Sequence, residues 1–309
     1  KAAITYDTRC LSFLGPAGVL PGEVTISTLS GRVRVPIAVG GPHVDQLSRH
    51  TAGRGGKSDG VIGESTLVLR KGRWYLHTSV TVPDGTVTSP AAYLGVDLGI
   101  LNLAVDSDGN FYSGATVEAV RKRMCALRDA LQACGSRSAK RHLKRLSGKE
   151  ARFRANVNHV ISKAIVNLAK GTGRAIALED LTGIVQRVQK TVNKSHRVRI
   201  GSWGFYQLRL FIQYKAKRAG VVVVLVAARG TSTTCPMPDC GHYDKRNRRS
   251  QAEFVCQKCG FTDHADHVGS VNIAKRGAVS HPIVSDVDAG NAASVQRESQ
   301  PSPGASLAR

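Results

Sequence analysis

Apolar and polar residues alternate singly along EVTIST (23–28), GRVRVPIAV (31–39) and STLVLR-KG-RWYLHTSVTV (65–82). That is the period of half-buried strands, and Lys71-Gly72 reads as a hairpin turn between two of them. The Gly- and Ser-rich TAGRGGKSDG (51–60) predicts a loop, and Pro83 to Pro90 predicts a boundary after a β-rich region. From 93 to 113, YLGVDLG, LNLAVDSDG and NFYSG predict three short strands in an antiparallel meander. A helical region over about 116–169 follows, broken near Gly135 and Gly148. GRAIALEDL (173–181) predicts a buried strand ending in acids. GFYQLRLFIQYKAKRAG (204–220) predicts an amphipathic helix closed by Gly220, and the β-branched run VVVVLV (221–226) a strand covered on both faces. A last helix is expected over 266–276, and the Ser-, Ala-, Gly- and Gln-rich stretch 284–309 is expected to be disordered.

Four of the seven cysteines fall between the last predicted strand and the last predicted helix, in TCPMPDCGHYDKRNRRSQAEFVCQKCGFTDHADHVGSVNIAKR (234–276). Cys256 and Cys259 have two residues between them, Cys235 and Cys240 have four, and Gly241 and Gly260 follow the second member of each pair. Two thiolate pairs on two turns supply the four soft ligands of a tetrahedral Zn²⁺, and four sulfurs leave no open position for chemistry. The expectation is a structural zinc ribbon. His242 is the rival to Cys235, because Pro236 and Pro238 stretch the first turn. Cys10, Cys125 and Cys134 are scattered, a usage that suits a reducing compartment better than a disulfide framework.

Three carboxylates stand out by position. Asp97 ends a strand in GVDLG, Glu179 ends another after AIAL, and Asp266 opens the last helix on the same face as Gly269, Ser270 and Ile273. Small residues on that face would let the helix lie close to a sheet and bring Asp266 beside the other two acids. Three acids from separate elements at one sheet edge suit hard Mg²⁺ ions and two-metal phosphoryl chemistry. Asp106 and Asp108 read as turn residues, while Asp180 and Asp263 are neighbouring rivals for the metal role.

Charge widens the picture. Lys and Arg number 44 against 22 Asp and Glu, a formal charge of +22, which favours a polyanionic partner. Arg121, Lys122, Arg123, Lys140, Arg141, Lys144, Arg145, Arg152 and Arg154 recur on the predicted helices and suit phosphate contacts that carry no sequence information. Arg197 and Arg199 lie in a basic loop, RVQKTVNKSHRVRI (187–200), just after Glu179. Trp203, Phe205 and Tyr206 either stack on bases or bury the start of the next helix, the second being favoured. His159 sits in an apolar stripe and reads as a core or capping residue. No signal peptide or membrane span is visible.

Taken in order, LGVDLGILNLAV, IALEDLTGI and TSTTCP…CG…FVCQKCGFTDHADHVGSVNIAKR resemble the three RuvC-type motifs and zinc ribbon of the transposon-encoded TnpB nucleases, relatives of the type V CRISPR effectors. The resemblance covers roughly 60–278. It implies an α/β fold with an RNase H-like (RuvC) core, an RNA-guided DNA endonuclease activity, a guide RNA and target DNA as partners, and the bacterial cytoplasm or nucleoid as location. It implies two Mg²⁺ (or Mn²⁺) ions held by Asp97, Glu179 and Asp266, and a structural Zn²⁺ on Cys235, Cys240, Cys256 and Cys259. His264 or His267 would tune the attacking water. The domains then expected are a wedge-like, OB-type β region over 1–90, a nuclease core with a basic helical insertion over 91–230, and the ribbon over 231–262. The last core segment follows over 263–280, and a tail over 281–309.

Two departures from the family pattern stand out. Val268 replaces an Asn common two residues after the third acid, and family members usually carry more chain before the point where this one starts, at Lys1. A cleavage-incompetent RNA- and DNA-binding repressor or transposition accessory protein is the alternative reading, as is a truncated remnant lacking the recognition lobe.

Overall fold

The computed structural model describes residues 3–14, 22–39, 61–70, 72–181 and 205–280. The loop expected over 51–60, the basic loop over 187–200 with Arg197 and Arg199, Trp203, and the stretch 284–309 lie outside the described residues. The chain divides into two compact units between Asp84 and Gly85, within the Pro83–Pro90 stretch.

The first unit contains two antiparallel three-stranded sheets. Strands β1 (Ala3–Tyr6), β5 (Val61–Arg70) and β6 (Arg73–Thr81) form one, in the order β1-β5-β6. Strands β2 (Leu11–Leu14), β3 (Glu23–Thr28) and β4 (Gly31–Pro36) form the other. Alternation along β3 turns Val24 and Ile26 into a small core with Leu11, against which Tyr6, Phe13 and Leu76 pack. Gly72 takes the left-handed backbone that the β5–β6 turn requires, at φ 75°.

The second unit is a mixed α/β layer structure. Its sheet runs β11-β10-β7-β8-β9. Strands β7 (Ala92–Asp97), β8 (Asn102–Asp106) and β9 (Phe111–Ser113) make the expected antiparallel meander. The chain then leaves the sheet through α1 (Ala115–Cys134), α2 (Arg137–Leu146) and α3 (Lys149–Gly171). Gly135 (φ 62°) and Gly148 (φ 77°) stand at the two breaks. It returns as β10 (Arg174–Asp180), parallel to β7, and continues through α4 (Phe205–Ala219) to β11 (Val223–Ala227), parallel to β10.

Strand alternation divides the core. Leu94 and Val96 of β7, with Ile176 and Leu178 of β10, face α3 and α4, meeting Ile161, Ile165, Val166, Leu208 and Ile212. Full burial of each large aliphatic side chain contributes about 1.5–3 kcal/mol. On the opposite face Tyr93, Ala175, Ala177, Val224 and Val226 pack with Ile273 of α5 (Ala265–Ser280). Strand β11 has apolar cover on both faces, as its β-branched run predicts. It is nonetheless an edge strand among the described ones, and its last residue, Ala227, is exposed.

Two expectations are corrected. His159 is not in the core: it is exposed on α3 and stacks on Phe211 of α4, ring centroids 3.9 Å apart. The apolar stripe runs one position away, through Asn158 and Ile161 to Ile165. Tyr206 does not bury the start of α4, since it is 59% exposed. No helix among the described residues is long and apolar enough to cross a membrane.

Candidate functional site

The acids owe their placement to the pleat. Leu178 of β10 is in register with Val96 of β7, so Glu179 and Asp97 follow one step beyond the last parallel pair. Both Val96 and Leu178 point to the α3–α4 side. The next residue of each strand therefore points the other way, toward α5. Helix α5 crosses that face with Gly269, Ile273 and Gly277 inward, and its approach is close. A β-carbon built on Gly95 would lie 2.0 Å from the Ser270 carbonyl oxygen, and one on Gly269 would lie 3.1 Å from Asp97 Oδ2. The small-residue face thus sets the first turn of α5 directly over Asp97, and that turn carries Asp266.

Glu179 and Asp266 are 8% and 6% exposed. Burial pushes the Asp97 carboxyl well above the usual carboxylate range, and the charges of Glu179 and Asp266 push it further. Arg248 and the Leu98 amide oppose that rise. Burial also raises Glu179, against a hydrogen bond from Thr231 Oγ1 to its Oε1 (2.5 Å) and the charges of Arg276 and Arg248. Asp266 Oδ2 accepts from Asn102 Nδ2 at 3.0 Å, and its Oδ1 from Arg248 Nη2 at 3.3 Å. Its own amide donates to His264 Nδ1 at 3.2 Å. Buried carboxylates repelling one another are short of positive charge, and an all-oxygen donor set suits a hard cation such as Mg²⁺.

The rivals are occupied elsewhere. Asp180 receives Arg209 Nη1 at 3.3 Å, and Asp263 bonds His267 Nδ1 at 2.7 Å and the His264 amide at 2.6 Å. Asp106, fully buried, accepts from the Asp108 and Asn110 amides and the Asn110 side chain, which makes it the turn residue its sequence suggests. Asp108 pairs with Arg174 across both guanidinium nitrogens. The His264 ring stands edge-on to Phe111 of β9, centroids 4.8 Å apart.

Between β11 and α5 the chain forms the cysteine ribbon, with β12 (Glu253–Val255) and β13 (Thr262–His264) as its hairpin. The sulfurs of Cys235, Cys240, Cys256 and Cys259 all lie within 4.8 Å of one another. Cys235–Cys259 and Cys240–Cys256 are each 3.6 Å apart. A tetrahedral Zn²⁺ with bonds of about 2.3 Å requires sulfurs about 3.8 Å apart, so the quartet fits zinc. His242, the rival ligand, is outside this group; its carbonyl instead accepts from the Cys235 amide at 2.9 Å and Asn247 Nδ2 at 3.1 Å.

The His242 amide donates to the Cys240 sulfur, and the Lys258 and Cys259 amides to that of Cys256. Burial works against the Cys256 thiolate, yet these amides and the neighbouring sulfurs bring that thiol down to about 6, whereas burial pushes Cys235 up to about 12. Gly241 (φ 54°) and Gly260 (φ 74°) make the two turns. Val268, where the family pattern has Asn, is fully buried in the ribbon core beside Cys235, Phe254 and Cys256.

Among the described residues the cysteine quartet is the one group that brings three or more metal-ligating atoms this close.

The basic side chains named from sequence divide. Lys122, Arg123, Lys140, Arg141, Lys144, Arg145 and Arg152 are exposed. Arg121 and Arg154 are half-buried, and Arg121 is paired with Glu118 at 2.7 Å. Four residues that sequence reasoning missed support the site: Asn102, Thr231, Asn247 and Arg248. Asn247 and Arg248 stand side by side in the NRR run of the ribbon, which the sequence shows only as a basic stretch.

The model described as "Probable transposase" (OrfB_IS605) matches residues 77–183, and that described as "Cas12f1-like, TNB domain" matches 205–273. The CRISPR-associated endodeoxyribonuclease Cas12f1 of Syntrophomonas palmitatica is 31% identical over 71% of this chain and 44% of its own length. The TnpB-like protein MJ0751 of Methanocaldococcus jannaschii is 28% identical over 64% of this chain and 74% of its own. Among solved structures, the mini-RNA-guided endonuclease CRISPR-Cas_phi3 shares the fold at a TM-score of 0.50 and 15% identity, over 85% of this chain and 58% of that one. The chain spans about half the length of the Cas12f1 relatives it matches. The two models follow each other in the order of sheet, ribbon and last helix, and the chain is similar to TnpB-like and Cas12f1 proteins.

Proposed function

We propose that the chain carries the nuclease part of an RNA-guided DNA endonuclease, with Asp97, Glu179 and Asp266 as its Mg²⁺-binding acids on an RNase H-like (RuvC) core. The observation that carries this reading is the convergence of three acids from β7, β10 and α5, with Gly269 of α5 set against Asp97 and the charges of both Glu179 and Asp266 acting on Asp97. Bound there, Mg²⁺ would activate a water and stabilise charge on the attacking and leaving oxygens of a phosphodiester. The chain's own groups prepare the site. Thr231 fixes the Glu179 carboxylate, Asn102 and His264 fix Asp266, and the ribbon walls the site on one side.

On the same reading the exposed bases of α1–α3 hold the RNA or DNA backbone, and the first unit is a wedge-like RNA grip. The alternative, a binding protein that does not cut, is disfavoured because all three acids are present and partly paired. The test is to copurify the protein with its bound RNA and assay Mg²⁺-dependent cleavage of DNA matching that RNA. Asp97→Ala should lower cleavage at least about a hundredfold while leaving binding intact. Guided binding without cutting by the unmutated protein would overturn the reading in favour of the repressor.

A further inference from the structure

Arg248 lies in the ribbon, yet its side chain reaches the acids. Asn247, fully buried, explains how. Its Nδ2 donates to the carbonyls of Thr233 (2.9 Å) and His242 (3.1 Å), and its Oδ1 accepts the Gln257 amide (2.9 Å). One side chain thus ties both cysteine turns together and fixes the backbone of its neighbour, which also bridges Phe254. From that anchor Arg248 Nη2 reaches Asp266 Oδ1 at 3.3 Å, and among the described ion pairs it is the one basic side chain on any of the three acids.

The contact is long for a charge-assisted hydrogen bond, which closes to about 2.7–2.9 Å. Two other contacts hold the guanidinium within its own loop: Nε to the Ser250 carbonyl at 3.3 Å and Nη2 to that of Gln251 at 3.0 Å. Arg248 can therefore release Asp266 without losing its seat. Each Asp266 oxygen carries one donor; Asn102 on Oδ2 is neutral, whereas Arg248 on Oδ1 bears the positive charge that a divalent cation at Asp266 would repel. The positive charge of Arg248 also favours the ionised forms of Asp97 and Glu179.

We propose that Arg248 is a built-in counter-ion of the carboxylate site, holding Asp266 when no divalent cation is bound and yielding that oxygen when one is, which leaves the guanidinium at the rim for a phosphate. This rests on the reading of the acids as a metal site. The ribbon is then a lever as well as a staple: zinc sets Asn247, and Asn247 sets Arg248.

The experiment measures Mn²⁺ binding to the full, zinc-loaded chain by electron paramagnetic resonance, alongside Mn²⁺-dependent cleavage, for wild type, Arg248→Gln, Arg248→Lys and Asp97→Asn. Arg248→Gln should bind Mn²⁺ at least about fivefold tighter and cleave at least about tenfold more slowly, with Arg248→Lys between it and wild type in both. A merely structural arginine would weaken both together, and that outcome overturns the proposal. So does Mn²⁺ binding by Arg248→Gln no tighter than wild type while wild type still binds. Wild type binding no more Mn²⁺ than Asp97→Asn would overturn the metal-site reading itself, and the counter-ion with it.

Discussion

The ribbon and the acid site lie against the same helix yet hold metal-ligating groups in opposite ways. The four thiols come from two tight turns of one short segment and lie within 4.8 Å of one another. The three carboxylates come from two strands and a helix that lie far apart along the chain, from Asp97 to Asp266. A closed set of four soft ligands binds one ion permanently and stabilises a fold. Carboxylates gathered where water is scarce repel one another and are costly in the folded protein. On the proposed reading, the first is built for stability and the second for turnover.

Breaking the closed site should have the larger effect. Cys256→Ser, or zinc removal by a chelator, is expected to unfold the ribbon, since binding of a structural zinc contributes about 10–16 kcal/mol to the folding of small zinc domains. Zinc content by atomic emission should fall from one ion per chain, and a protease should cut within 235–260 while the sheet stays protected. Loss of Asn247's three partners would follow, so cleavage should fall although no acid has changed.

The next effect tests how the acids are brought together. Gly95→Val places carbon atoms where the Ser270 carbonyl now lies. Helix α5 must retreat, at a cost of about 1–3 kcal/mol or more, read by thermal melting. Asp266 moves with the helix, so cleavage should fall further than the melting temperature alone accounts for. Retained cleavage would show that the close approach of α5 is not what positions the third acid.

The smallest effect has the opposite sign. Asp97→Asn abolishes a carboxyl that binds its proton more tightly in the folded chain than in the unfolded one. Such a group lowers stability as pH rises above its unfolded value of about 3.9. In buffer free of Mg²⁺ and Mn²⁺ but with zinc retained, the substitution should therefore stabilise the protein by about 1 kcal/mol at pH 7. It should also flatten the fall in stability between acid and neutral pH. A destabilised Asp97→Asn would mean that Arg248 already compensates the charge in full.

The positions of the acids were legible because each is a local event: the end of an apolar strand, or a helix start with small residues three and four positions on. The cysteines were legible for the same reason. What could not be read were the groups that arrive from a distance. Asn102 meets Asp266, Thr231 meets Glu179 and Arg248 meets Asp266 only through tertiary structure, and an Asn, Thr or Arg has no pattern of its own. His159 and Tyr206 misled because a side chain next to an apolar stripe differs by one helical position from one within it. Strand β11 is covered on both faces, as its β-branched run predicts, yet composition does not say that it lies at the edge of the described sheet.

The pleat that turns Leu94 and Val96 one way and Asp97 the other has a consequence for how such a chain can change length. Losing or gaining one residue between Tyr93 and Asp97 would swing the acid into the α3–α4 core and a valine into the site. Helix α1, by contrast, has no buried side chain along its 20 residues. Length can vary more readily in α1 than in the six residues of β7. The reading frame of the sheet is thus the least negotiable part of the molecule.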